Sequence, residues 1–257
     1  MKKDRLIDIV VVIIVLLGIF FYVMLKPSHV KAPSGVELST LSGGNSVEHS
    51  KYYDIAVNYA SSTPLLTKVN ATADAAAVTL MKRFVNDTVA QFKTDGNFAN
   101  LTPEDIKMME FDQGHKEKLQ IVYLVASSPR TVSYIYTIYV DTLGAHGNTN
   151  FKTFTFDTTT GASLSLSDLF TPGSDYLSKL SQISREKLPR VIGESADIKF
   201  INDGTTPENK NFAAFFIDNQ NLDILFAPYA VAPYSAGPQT LQIPLADLGS
   251  ILKPEYR

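Results

Sequence analysis

The sequence has no cysteine and no tryptophan. Without cysteine there is no disulfide, no thiolate metal site, no cysteine nucleophile and no lipidated N-terminal cysteine. Any exported domain of this chain is therefore expected to stand on its hydrophobic core alone. Histidine is scarce, with four in 257 residues. His29 and His49 fall in a polar stretch and are read as solvated. A zinc site built on the remaining pair, His115 and His146, would need carboxylates converging from elsewhere, and no spacing suggests them. Neither a metal nor a cofactor is expected.

Catalytic signatures are also missing. There is no GxSxG elbow, no HExxH, no phosphate-cradling GxxxxGK and no GxGxxG. Glu104-Asp105 and Glu194 are read as solvated charges, since adjacent carboxylates on a loop lack the opposed placement that glycosidases need. No catalytic residue is nominated, and the chain is read as a non-enzyme. Nor is there a run of basic residues. The first 26 residues hold Lys2, Lys3, Arg5 and Lys26 against Asp4 and Asp8. Setting them aside from 23 basic and 26 acidic residues leaves 19 and 24, a net of −5. A mildly acidic body is a poor match for nucleic acid, whose binding rests on phosphate neutralisation.

Core material, by contrast, is plentiful. Hydrophobic residues make up 45% of the chain, with 15 Phe and 12 Tyr. The longest apolar run, Ile9 to Leu25, carries no charge over 17 residues. A bilayer core needs about 20 helical residues, and Leu6 and Ile7 extend the run past Asp8. The run reads as an uncleaved transmembrane anchor, because it exceeds the usual signal-peptide core and Pro33 follows the best cleavage site, Val30-Lys31-Ala32. Lys2, Lys3 and Arg5 ahead of it place the N-terminus in the cytoplasm and the body outside the cell membrane. So short a cytoplasmic segment would hold no signalling domain.

Beyond the anchor (1–26), residues 27–50 are rich in Ser, Gly and Pro and read as a flexible linker. The body divides into an N-terminal domain, 51–162, and a C-terminal domain, 163–257. Tyr53, Ile55, Val57 and Tyr59 alternate as in a half-buried strand. Val78, Met81, Val85, Val89 and Phe92 fall at helical steps within Asn70–Thr94, a helix that Asp95-Gly96 should end. Strands are expected at 118–127, 131–141 and 151–157. The second of these sets Val132, Tyr134, Tyr136, Ile138 and Val140 on one face. The pattern predicts an antiparallel meander with the helix laid across it, burying Val132, Tyr136, Met81 and Val85. In the second domain a helix over 174–188, stopped by Pro189, precedes strands at 212–217, 222–226 and 241–243 and a closing helix near 245–252. A hairpin loop is expected at 218–221. The fold class is α+β: a transmembrane helix, then antiparallel sheets with helices packed on one face.

Two segments are not required by local folding. Leu143-Gly144-Ala145-His146-Gly147-Asn148 brackets a histidine with glycines, which permit positive φ and close approach. It reads as a wide hairpin turn with a packed histidine, or as a binding loop. Phe226 to Gly237 carries two Pro-Tyr pairs that hold the chain extended. It reads as an architectural corner, or as a stiff loop presenting two aromatic hydroxyls for recognition. The candidate binding residues are Gly144, His146, Gly147, Asn148, Tyr229, Tyr234 and Gly237.

The ordered set Thr131-Val132-Ser133, Gly144-Ala145-His146-Gly147, Phe154-Thr155-Phe156-Asp157, Gly161, Leu166-Ser167-Asp168-Leu169-Phe170 and the Pro-Tyr…Ala-Pro-Tyr…Gly loop resembles the paired extracytoplasmic domains of RsiV-type anti-sigma factors. The same pair precedes the catalytic domain of PdaC-type peptidoglycan deacetylases. The resemblance runs from about Tyr52 to the C-terminus. Leu143 stands where the family usually has another glycine, and neither a sigma-binding segment nor a deacetylase domain is recognised. The resemblance implies a membrane-anchored sensor or binding module of the bacterial envelope, with a cell-wall hydrolase such as lysozyme as its protein partner. A peptidoglycan- or glycan-binding accessory to a separate wall enzyme is the alternative, and an uncharacterised hydrolase is a third reading.

Overall fold

Helix α2 (Ala71–Asp95) forms where the stripe predicts it. Asn70 caps its start, accepting the Ala73 N–H at 2.6 Å, and Gly96 closes its end. Its inner face buries Ala77, Met81, Val85 and Phe92. The computed structural model describes residues 43–218 and 220–257. The expected anchor, most of the expected linker, and Asn219 of the expected hairpin loop lie outside the described residues. Among those described, no helix is long and apolar enough to cross a membrane.

Six strands form the first sheet, in the order β1-β2-β3-β4-β5-β6: β1 (Gly43–His49), β2 (Tyr53–Ala60), β3 (Glu117–Ser127), β4 (Thr131–Asp141), β5 (Asn148–Asp157) and β6 (Ser163–Leu164). Between β2 and β3 lie the short helix α1 (Pro64–Thr67), then α2 and α3 (Pro103–Met108). The expected meander of 118–127, 131–141 and 151–157 forms as antiparallel β3, β4 and β5. The expectation of a wholly antiparallel sheet is corrected, because β2 and β3 pair in parallel, Tyr53 opposite Glu117. The chain between them crosses the sheet face as a helix, and such a crossover brings the next strand in with the same direction. The other pairs are antiparallel.

Strand β1 is a second correction, since residues 43–49 fall inside the expected linker. Its composition is polar, with Val47 62% exposed, so backbone pairing with β2 over Gly43–His49 holds it rather than burial. Glu48 adds a clasp. It accepts from Lys93 of α2 at 2.7 and 2.8 Å and from the Tyr53 hydroxyl at 2.5 Å.

Alternation along the strands then builds the core. Leu119, Ile121, Val132, Tyr134, Tyr136, Phe154 and Phe156 face α2 in one cluster with Met81 and Val85. Met81 and Tyr136 are fully buried, Val132 1% and Val85 2% exposed, as the pattern predicts. Burying each such side chain contributes roughly 1.5–3 kcal/mol.

The second sheet is an antiparallel meander, β7 (Phe215–Asp218), β8 (Asn221–Phe226) and β9 (Gln239–Pro244). Helices α4 (Tyr176–Ile192), α5 (Ile198–Gly204) and α6 (Leu245–Leu248) accompany it. A second cluster, with Leu180, Leu188, Ile201, Phe212, Leu222, Ile224, Leu241 and Ile243, is its core. Pro189 does not stop α4, which runs on to Ile192. It sits in the last turn, where its missing N–H costs one ladder bond while fully buried Leu188 anchors that turn in the core. The opposite faces of the two sheets meet through Ala126, Ile135 and Leu225, with Phe151, Ala214 and Phe216 packed around them.

Asp157 ties the C-terminal Tyr256 to the end of β5 and the turn before β4. It accepts from the Thr159 and Thr160 N–H groups at 2.8 Å, from Arg130 at 2.8 Å and from the Tyr256 hydroxyl at 3.2 Å. Burial alone would raise its pKa, but these donors outweigh it and hold the carboxyl below its usual value. Burial and this carboxylate push Tyr256 up to about 12.

Candidate functional site

The two loops singled out in the sequence meet in space. The His146 imidazole stacks on the Tyr234 ring, with centroids 3.6 Å apart and planes 17° apart. Its Nε2 lies 3.2 Å from the Tyr229 hydroxyl. The Tyr229 and Tyr234 rings are 5.4 Å apart, so all three rings form one platform.

Hydrogen bonding fixes the proton arrangement. The Gly147 carbonyl can only accept, and it does so from the Tyr234 hydroxyl at 2.7 Å and from His146 Nδ1 at 3.1 Å. In the neutral imidazole the Nδ1 hydrogen is then committed, and Nε2 accepts from Tyr229. The outward lone pairs of the Tyr229 oxygen are left to a partner.

Local chain chemistry positions each ring. Ala227-Pro228-Tyr229-Ala230 is a turn closed by the Ala230 N–H on the Ala227 carbonyl at 3.0 Å. Pro228 takes the position proline prefers, and Tyr229 follows with φ +69°. Glycine or asparagine is favoured there, because a Cβ costs roughly 1–2 kcal/mol in the left-handed region. Tyr229 is 51% exposed, so its contacts to His146 and Tyr234 are what is set against this backbone cost. Pro233 extends the next turn into Tyr234, and Gly237, with φ +68°, ends it by donating to the Tyr234 carbonyl at 2.9 Å.

Two glycines allow the close approach. A Cβ on Gly147 would strike the Tyr139 ring, and one on Gly204, at the end of α5, would strike the Ala230 carbonyl. Gly204 and Tyr139 thus pack closely against the two loops, and neither is among the residues the sequence singles out. The Gly204 signal was absent because α5 itself was not expected. Tyr139 sits on the face of β4 opposite the aromatic stripe that drew notice; burial, Asp141 and then Tyr234 raise its pKa. The remaining candidates stand at the margin. Gly144 is exposed with open space around it, and Leu143 beside it takes the positive φ, +59°. Asn148 is exposed at the start of β5.

Elsewhere, Asp223 of β8 is 1% exposed, and neither of its carboxylate oxygens has a hydrogen-bond partner. Burial raises its pKa to about 7; Gln242 opposite it lowers the value somewhat without reaching bonding geometry, and Asp218 adds to the rise. Among the described residues no group of three or more His, Asp or Glu gathers to hold a metal ion.

Residues 167–246 match the family described as "Protein of unknown function (DUF3298)". The peptidoglycan-N-acetylmuramic acid deacetylase PdaC of Bacillus subtilis is 32% identical over 225 residues, 86% of this chain and 42% of that protein. The chain thus spans less than half the length of this relative. A crystal structure of a DUF3298 family member from Bacteroides fragilis superposes with a TM-score of 0.51 at 15% identity, covering 83% of this chain and 92% of that one. A second DUF3298 family structure, from Pseudomonas aeruginosa, gives 0.48 at 15% identity, covering 85% and 97%. The chain carries a DUF3298 domain and is related to PdaC over most of its own length.

Proposed function

We propose that this chain is a non-enzymatic binding module of a bacterial envelope, held to the cell membrane by residues 1–26, and that the His146–Tyr229–Tyr234 platform is its recognition surface. The supporting observation is the exposed, preformed platform itself. Tyr229 is held out in a backbone conformation that disfavours its side chain, while His146 and Tyr234 stack behind it. Rings fixed before contact lose little entropy on binding, and tyrosine is enriched at binding hot spots. The partner is a cell-wall hydrolase such as lysozyme, which would reach the exported body directly.

The relation to a protein named for a peptidoglycan substrate favours a second reading, in which the body binds wall glycan and positions a separate enzyme. One experiment separates them. The full chain in detergent micelles is run on a sizing column with lysozyme, and sedimented in parallel with purified peptidoglycan. Co-elution with lysozyme supports the first reading, and co-sedimentation without co-elution supports the second.

A further inference from the structure

One side of the six-stranded sheet ends in a strand that is only partly paired. Strand β6 covers β5 at Thr155 and Phe156 alone. From Asn148 to Phe154, among the described residues, β5 pairs with β4 on one side and has no backbone-to-backbone partner on the other. The Phe215 N–H reaches only the Thr153 hydroxyl, at 3.1 Å, on the face away from the groove. An edge of seven residues, about 23 Å of unpaired backbone, is a template for another strand.

A groove of about 950 Å3 lies beside this edge, between α2 and the sheet. Leu80, Phe84, Leu119, Val140 and Phe154 give it an apolar floor. Its helix wall runs from Leu80 to Gly96, about 24 Å at helical rise, which matches the length of the free edge. Asn148, Asn150 and Lys152 are exposed on the groove face of β5, so α2 leaves this part of the sheet uncovered.

Charge is mixed along the groove: Asp87, Asp95 and Glu117 line it with Arg83 and Lys152, and Arg83 lies 3.8 Å from Asp87, so the place on the β5 edge that favours a carboxylate is Lys152 alone. Lys152 lines the groove and has no carboxylate within ion-pairing distance among the described residues; its Nζ rests 5.2 Å from the centre of the Phe154 ring. A single lysine on an edge strand discourages random pairing, and a carboxylate directly across from it would turn that repulsion into selection.

We propose that the free edge of β5 and its groove form a binding site for an extended peptide segment, which adds as a strand beside Asn148–Phe154, places apolar side chains in the groove and sets a carboxylate against Lys152. Backbone hydrogen bonds supply affinity, and the alternate side chains supply selectivity. The site adjoins the aromatic platform at Asn148, next to Gly147, but does not depend on that reading.

The test uses the full chain in micelles and a capped, fluorescently labelled nine-residue probe with four valines and a central glutamate on one face and threonines on the other. Anisotropy reads binding, and hydrogen exchange maps it. The expected result is saturable binding that slows exchange over 148–154 and leaves β1, the other edge, unchanged. Lys152→Glu should weaken binding about fivefold, and a probe with lysine in place of glutamate should regain that factor on the variant. Tyr229→Ala should leave probe binding unchanged. The proposal is overturned if the probe protects β1 instead of β5, if affinity is indifferent to both charge exchanges, if no binding occurs at millimolar probe, or if the edge is already protected in a dimer of the chain.

Discussion

The Tyr229 hydroxyl and His146 Nε2 lie 3.2 Å apart although 83 residues separate them in the chain. Tyr234 completes the contact by stacking on the imidazole and bonding the Gly147 carbonyl. These links predict energetic coupling across the cluster. A double-mutant cycle of His146→Ala and Tyr234→Ala, read by urea unfolding, should give a coupling of about 0.5–1.5 kcal/mol. A coupling near zero would mean that the loops are held in place by their own turns.

Asp223 should make stability depend on pH. Its pKa is raised to about 7 from an ordinary 3.8, so between these values the folded state holds a proton that the unfolded chain releases. Stability therefore falls as pH rises from about 4 through 7, by up to about 1.4 kcal/mol per unit from this group, and levels off above. Asp223→Asn should flatten this part of the profile and raise the melting temperature at pH 8. An unchanged profile in the variant would assign the dependence to other groups.

Asp157 should act in the opposite sense. Its pKa is lowered, so its contribution is present above the ordinary 3.8 and is lost as pH falls through the folded-state value. Asp157→Ala leaves Arg130 and two backbone N–H groups without their acceptor, and should cost about 3 kcal/mol in urea unfolding at pH 7. A loss below about 1 kcal/mol would show that the clasp is dispensable.

Where apolar residues carry a period, the sequence was legible. The stripe from Met81 to Phe92 and the alternation from Val132 to Val140 give α2 and β4 nearly to the residue, and with them the buried face. Strand β1 was not, because Gly43–His49 has one apolar residue and forms through backbone pairing and the Glu48 clasp. The parallel β2–β3 pair was missed because hydrophobic alternation carries no strand direction. Both loops of the platform were visible as glycine- and proline-rich departures from regular structure. Their contact was not, since nothing local links His146 to Tyr229, and the glycine that seats the second loop, Gly204, lies in a helix that was not expected.

The most direct measurement of the central claim is lysozyme affinity and thermal stability for the wild-type chain and Tyr229→Gly. Glycine suits the φ of +69° and relieves roughly 1–2 kcal/mol of backbone cost, which offsets the lost contact to His146. The account predicts a melting temperature within about 2 °C of wild type and binding weakened by more than about 1 kcal/mol. A variant that unfolds at markedly lower temperature, or one that binds lysozyme as tightly as wild type, would contradict it.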